Sequence, residues 1–472
     1  MTDSFVGRRH DLRKLDDHLA AVAQSGRGRL LAIQGRRQVG KSTLLTEFVR
    51  RHDDVPSLFF TGSRQPTVHD DLARFVADVP RESTLPGAGV LHGVLVESWE
   101  AALRLVAAAL PEDRPAVVVL DELPWLLEND PGLDGTLQKL WDTVLEHRPV
   151  LLALVGSDLS MMEALIGHRR PLFGRVTPMV VRPFDPADTA AMLGGSASAL
   201  EAFDAYLVTG GYPRLLADLR GGRLTTWLRR QLADDTSPLL VTGERILAGE
   251  FPDHAQARRV LEAAGAGERT FAALAQAAGI RQASLQRALQ TLDDKRVVIR
   301  EQPLAPEAPD APRYRVADHY LRFWLRFCRP ALPDVSRGRG DIALDRWRDG
   351  WSAFRGRAIE PVIHEALARL AAGDTRLGGA GAVGGWWNRT NRPEIDVVGV
   401  DRADRPRKVA FTGTVKWRGN VPLGERDVAE HRAAVASVPA LAGAPVVAVS
   451  SSRVRATQVD AAYTAADLLA AW

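Results

Sequence analysis

The stretch GRRQVGKS at residues 35–42 has the residue types and spacing to hold phosphate. Gly35 and Gly40 let the backbone curl until successive N–H groups point inward at an anion, with Gln38 and Val39 completing the loop. Lys41 can reach the outer phosphates, and the Ser42 hydroxyl suits Mg²⁺. Thr43 continues into a helix whose positive end adds to the site. The plain alternative is a glycine-rich turn, but an apolar strand before the loop and a helix after it favour the phosphate site. Further on, VVVLDE ends an apolar run with Asp121 and Glu122. At a strand's carboxyl end Asp121 can hold Mg²⁺ through water, and Glu122 can polarise an attacking water as a base. One run later, LVGSDL offers Ser157, either a sensor of the terminal phosphate or part of a structural turn.

These residues need a scaffold that brings strand ends together. RLLAIQ (29–34), SLFFTG (57–62), AVVVLDE (116–122), VLLALVGS (150–157) and PMVVRPF (178–184) read as strands. They are nearly continuous in apolar character, as strands buried on both faces are. Helical patterns such as KSTLLTEFVRR and GTLQKLWDTVLEH lie between them, so a mostly parallel sheet is expected over residues 1–185. Residues 186–250 are helical only. Residues 251–318 give three short helices and two strands, RVVIREQ and RYRVAD. The prolines between those strands, at 303, 306, 309 and 312, fall every third residue, the repeat of a polyproline II segment. Residues 319–472 start helically and then show EIDVVGV, KVAFTGTVKW and APVVAVSSS, a second α/β unit. The expected fold is α/β and multidomain.

A chain of 472 residues, 46% hydrophobic and 25% charged, can bury several cores. A formal net charge of only +3 means that any nucleic-acid contact must come from a local patch. Cys328 is the sole cysteine, which excludes an internal disulfide and a cysteine-based zinc site. The first residues are charged early, no signal peptide is read, and no apolar run approaches a membrane span. A cytoplasmic location with no membrane partner is the expectation.

TFAALAQAAGIRQASLQRALQTLDDKRVVIREQ, residues 270–302, reads as helix, turn at Gly279, helix, strand. Leu285, Leu289 and Leu292 share one helical face. Arg281, Gln282, Ser284 and Arg287 lie mainly on the rest of that helix and can contact base edges or phosphates of double-stranded DNA. With the later strands as a wing, this is a winged-helix pattern, a module that also serves protein contacts.

Taken together, these stretches resemble the archaeal-type P-loop ATPases related to AAA+ and STAND proteins. The resemblance covers essentially the whole chain and implies ATP and Mg²⁺ as ligands. It also implies an ATPase core, a helical lid, a winged helix and a C-terminal domain similar to restriction endonucleases. FVGRRHDLRKL (5–15) resembles the family's opening box, which implies that Val6, Gly7 and Arg8 line the base pocket. DELPWLL (121–127) resembles its acidic strand end, and GSDLSMMEALIGHRRPLFGR (156–175) its sensor segment. The latter implies Ser157 as sensor and Arg175 as an arginine finger, acting in the same or a neighbouring subunit of a homo-oligomer. TGGYPRLL (209–216) resembles the lid motif, with Pro213 against the nucleotide base. In the last segment, the pattern resembles a PD-(D/E)xK nuclease core, with Asp396 and Lys416 matching and Glu360 as an accessory acid. The second acid is replaced by Thr414, a neutral and weaker ligand, so a degenerate site is expected unless Glu394 compensates. Trp386, Trp387 and Trp417 are read as core or rim aromatics. The sequence therefore points to an ATP-hydrolysing, DNA-associated switch in regulation or defence. An ATP-gated nuclease and a non-hydrolysing nucleotide sensor that recruits protein partners stand as alternatives.

Overall fold

The computed structural model describes residues 5–64, 67–251 and 254–472. The chain divides into two compact units, Met1–Pro183 and Phe184–Trp472.

In the first unit, β1 (Arg29–Gln34), β2 (Ser57–Thr61), β3 (Ala116–Asp121), β4 (Val150–Gly156) and β5 (Val176–Val180) form one sheet in the order β2-β3-β4-β1-β5. All its pairings are parallel. Every residue of β3 and β4 is buried, which explains their unbroken apolar sequence. On one flank Phe60 meets Phe75 and Phe75 meets Trp99 edge-to-face, with centroids 4.9 and 5.3 Å apart, pinning the helices Val68–Glu82 and Trp99–Ala109. Because the strands are parallel, the segments leaving β1, β3 and β4 all emerge at the same edge of the sheet. That edge collects the residues singled out for phosphate chemistry.

The fifth strand lies earlier than the sequence suggested. It pairs with β1 from Leu30↔Val176 to Gln34↔Val180, so Val176 and Thr177 belong to it and residues 181–184 do not. Val181 N–H still donates to Gln34 O (2.8 Å), but Pro183 has no N–H and the ladder stops. As an edge strand β5 tolerates a proline that a central strand would not.

The second unit begins with five helices, Pro186–Leu193, Ala199–Thr209, Pro213–Leu219, Leu224–Leu232 and Pro238–Glu250. Three more follow, Ala255–Ala266, Phe271–Ala278 and Gln282–Asp294, then an antiparallel pair, β6 (Val298–Glu301) and β7 (Arg313–Val316). Beyond the long helix Gly340–Leu370 come β8 (Ala382–Trp387), β9 (Glu394–Val400), β10 (Val409–Lys416), β11 (Val446–Ser450) and β12 (Ala461–Thr464). They form a mixed sheet in the order β12-β11-β10-β9-β8, antiparallel from β8 to β10 and parallel from β10 to β12. Trp386, Trp387 and Trp417 are buried.

Residues expected to fall into three segments pack here as one unit. Tyr320 and Trp324 donate from their ring O–H and N–H to the carbonyls of Leu239 (2.7 Å) and Leu240 (2.9 Å). Arg355 pairs with Asp204 at 2.6 Å across two helices. A side chain on Gly243 would start 2.3 Å from the Trp324 ring, so only glycine lets that helix approach.

The proline-rich connection between β6 and β7 is not a polyproline helix. It turns at 305–307, with Glu307 at φ 54°, whereas polyproline II needs φ near −75° throughout. The turn seats the hairpin tip on β8. Leu304 N–H donates to Gly385 O (2.9 Å), Trp387 Nε1–H donates to Ala311 O (2.7 Å), and Ala305 is buried with Trp386 and Ile395.

Candidate active site

The phosphate loop is held open by backbone geometry. Gly35 has no room for a side chain, because a Cβ there would lie 2.3 Å from Val181 O. Gln38 and Gly40 take left-handed φ of 66° and 89°, which turns the amides of the loop toward its centre. Gly40 then caps the helix Lys41–Arg51, on which Ser42 and Thr43 are exposed at the first turn.

Lys41 is buried, and its Nζ donates to Gly35 O (2.8 Å), Arg36 O (3.2 Å) and Ser157 Oγ (2.8 Å). Burial pushes its pKa down to about 8, with the charges of Glu122 and Asp121 opposing the shift. Ser157 Oγ donates onward to Glu122 Oε1 (2.9 Å). Ser42 Oγ donates to Asp121 Oδ2 at 2.5 Å, and the other carboxylate oxygen accepts from Glu122 N–H at 2.9 Å. Glu122 itself is left-handed, φ 53°, which bends the chain off β3 into the helix Leu123–Asn129. The ends of β1, β3 and β4 thus bring Lys41, Ser42, Asp121, Glu122 and Ser157 into one connected set.

This donor set suits Mg²⁺. The Ser42 hydroxyl and an Asp121 carboxylate oxygen converge, both hard oxygen ligands of the type that ion prefers. When bound, the ion would neutralise charge on the outer phosphates. Lys41 supplies a cation beside it, and Glu122 a carboxylate able to take a proton from water.

The opening box has a second task. Gly7 and Arg8 have φ of 76° and 61°, Val6 is half-buried beside them, and Arg8 is only 5% exposed. The Arg8 guanidinium donates to Asp11 Oδ2 (3.1 Å) and to the carbonyls of Val39 and Arg182. It braces the phosphate loop from below, a role the sequence did not suggest because its partners are distant in the chain.

Arg175 does not join the site of its own chain. It precedes β5 at the amino-terminal edge of the sheet, opposite the phosphate loop, which follows the carboxyl end of β1. Its guanidinium is bidentate on Asp142 (2.6 and 2.9 Å) and lines a cleft of about 480 Å³ with Trp141, Glu146 and Phe173. A sheet-length separates it from the phosphate loop of its own chain. Pro213 belongs to the second unit and starts the helix Pro213–Leu219 after Gly210 and Gly211, both left-handed.

The nuclease-like residues have protein partners instead of a vacant cation site. Asp396 Oδ2 accepts from Val415 N–H (2.8 Å) and, more weakly, Thr414 Oγ1 (3.4 Å). Lys416 Nζ faces Asp427 at 3.8 Å. Glu394 cannot compensate for Thr414, because Arg313 holds it at 2.5 Å and Arg269 lies 3.8 Å away. Burial, with Asp396 and Glu394 nearby, pushes Glu360 up to about 7, while Arg269 pulls the other way. Among the described residues no group of three or more His, Cys, Asp or Glu is placed to hold a metal.

On the helix Gln282–Asp294, Leu285, Ala288, Leu289 and Leu292 are buried. Arg281, Gln282 and Arg287 are exposed, and Ser284 is half-buried.

Residues 5–219 match a family described as an ATPase domain predominantly from Archaea. This segment is an archaeal-type ATPase domain. Residues 324–430 of the same ATPase match a family of archaeal and bacterial proteins of unknown function. An uncharacterized protein of Methanocaldococcus jannaschii is 24% identical over 430 residues, 90% of this chain and 89% of its own. Among solved structures, a Walker-type ATPase of Pyrococcus abyssi is similar with a TM-score of 0.49 at 17% identity, covering 69% of this chain and 97% of that one. The ORC2 protein of Aeropyrum pernix, in ADPNP–ADP complexes, gives 0.47 at 14% identity, covering 72% and 97%. Among the described residues no helix is long and apolar enough to cross a membrane.

Proposed function

We propose that this ATPase is a cytoplasmic, DNA-associated switch of the AAA+/STAND type, acting in regulation or defence. The observation that carries the switch is the sharing of Ser157 between Lys41 and Glu122. A serine hydroxyl has one proton to donate. Without nucleotide that proton goes to Glu122, and Lys41 rests on Ser157 and two loop carbonyls. A terminal phosphate in the loop draws Lys41 toward itself and offers Ser157 an acceptor that carries more negative charge than one carboxylate. When Ser157 turns to the phosphate, Glu122 loses its donor and becomes free to orient a water and accept its proton.

Double-stranded DNA is the partner favoured by the helix Gln282–Asp294. Its polar face, with Arg281, Gln282 and Arg287, is open, while its apolar face is core. The hairpin tip is occupied by β8, so the helix rather than the wing would make the contact. Arg175 can serve a nucleotide only in a second copy of the chain, which makes a homo-oligomer the working form if it acts as a finger.

The test is ATP hydrolysis with and without double-stranded DNA in the parent, Lys41→Ala and Glu122→Gln. DNA should change a turnover that both substitutions abolish. Turnover indifferent to DNA, with no DNA bound, would sink the DNA-associated switch and turn the search to protein partners.

A further inference from the structure

Two arginines at the carboxyl edge of the first sheet are left over by the site described so far. Arg37 lies inside the phosphate loop and Arg64 lies three residues beyond the end of β2. Both are exposed, and among the described residues neither forms an ion pair with a carboxylate. Both guanidinium groups lie over the same half-buried ring, Trp125, at 5.8 and 5.7 Å from its centroid.

That ring is tied to the reaction centre. Trp125 N–H donates to Glu122 O (3.1 Å), so the indole belongs to the first turn after the candidate base. The exit of β2 is fixed to the same place, since Gly62 N–H donates to Asp121 O at 2.8 Å. A Cβ on Gly62 would meet Glu122 O at 3.0 Å, so the two backbones approach closely here. Three separate segments therefore converge to place two cations beside the loop. The charge of Arg37 also reaches Lys41, where it helps to lower the ammonium's pKa. Like charges gathered on one aromatic ring, without an acid between them, are an arrangement that an anion completes.

We propose that Arg37 and Arg64, gathered by Trp125, receive the terminal phosphate of a bound nucleoside triphosphate, with Trp125 as the positioning residue. This rests on the nucleotide site assigned above. The pair then distinguishes tri- from diphosphate, because only the triphosphate extends charge past Lys41 to the ring.

The experiment compares binding of a non-hydrolysable ATP analogue and of ADP to the full chain, by calorimetry, in the parent, Lys41→Ala, Arg37→Ala, Arg64→Ala, Trp125→Ala and Trp125→Phe. Each arginine variant should bind the analogue about tenfold more weakly and ADP within about twofold of the parent, the loss expected for one charge-assisted hydrogen bond. Trp125→Ala should lose the same preference, and Trp125→Phe should keep most of it because a ring remains. Equal losses for both nucleotides would mean a damaged loop and would overturn the proposal, as would unchanged affinity for both. A parent that binds neither nucleotide removes the nucleotide site itself, and the proposal with it. Lys41→Ala, losing both nucleotides, marks the difference between that failure and the failure of the arginine pair.

Discussion

Lys41 is the buried cation of the phosphate loop, and its proton gives the site a pH dependence that can be tested. In the nucleotide-free protein burial sets its pKa at about 8. A bound phosphate favours the ammonium, so the bound pKa is the higher of the two. Affinity for ATP should then be full below about pH 8 and fall as pH rises through it. Titrations between about pH 7 and about pH 9.5 check this, and a flat profile would show that Lys41 is not the cation concerned. Ser157→Ala removes the bridge to Glu122 and the group that answers the phosphate. It should lower kcat/KM by about 10- to 100-fold with part of the loss in KM, because Ser157 bonds the phosphate already in the bound ground state. Lys41, Ser42, Asp121 and Glu122 could be picked from the sequence because each sits in a short motif beside a strand end. Ser157 stayed ambiguous there, since its partners come from β1 and β3 and depend on β4 lying between them. The bracing by Arg8 was not legible at all, because the carbonyls it holds are 31 and 174 residues away in the chain.

At the scale of elements, the parallel sheet was readable because β3 and β4 are fully buried and so purely apolar. β5 was misplaced because an edge strand obeys no such rule. β8 and β12 escaped notice for other reasons. The first, AVGGWW, carries two glycines where the hairpin tip comes close, and the second is only four residues long. The tip's anchor is testable. Arg313 is 4% exposed, bonds Glu394 and Asn391, and lies 4.2 Å from the centroid of Trp387. Arg313→Ala should destabilise the second unit by about 1–2 kcal/mol, since it removes a buried guanidinium from Glu394, Asn391 and the ring of Trp387. Denaturant unfolding of parent and variant measures it. Glu360 gives a prediction of opposite sign. Its folded pKa, about 7, lies above the ordinary carboxylate value of 4.5. Stability therefore falls as pH rises from about 4.5 to about 7 and stays lower above that. Glu360→Gln should raise the melting temperature at about pH 8 and leave it nearly unchanged at about pH 5. An equal change at both values would rule out ionisation as the cause.

For the molecule as a whole, periodicity in the sequence told which segments are helix or strand but not which of them pack together. The expected segments at 186–250, 251–318 and 319–472 form one compact unit because the ties between them are single side chains, such as Tyr320, Trp324 and Arg355. Charge sets the expectation at this scale. With a net charge of +3, DNA affinity should depend on a few local contacts. Replacing Arg281 and Arg287 together by alanine should reduce the slope of log affinity against log salt by about 2, one unit for each phosphate no longer neutralised by an arginine. An unchanged slope would place any DNA elsewhere.

The seat of the hairpin tip on β8 also bears on how such a chain can be inherited. β8 ends the mixed sheet, and its outer rim is met by Leu304, which lies far upstream of the sheet's own sequence. A recombination event that exchanged residues 319–472 alone would hand the new host a strand with a bare rim, open to pairing with any neighbour in a crowded cell. The cassette that can be traded intact starts before the hairpin. Gene fusions and laboratory truncations that cut at 318 should yield insoluble protein, while those that cut ahead of residue 184 keep the rim covered and the unit whole.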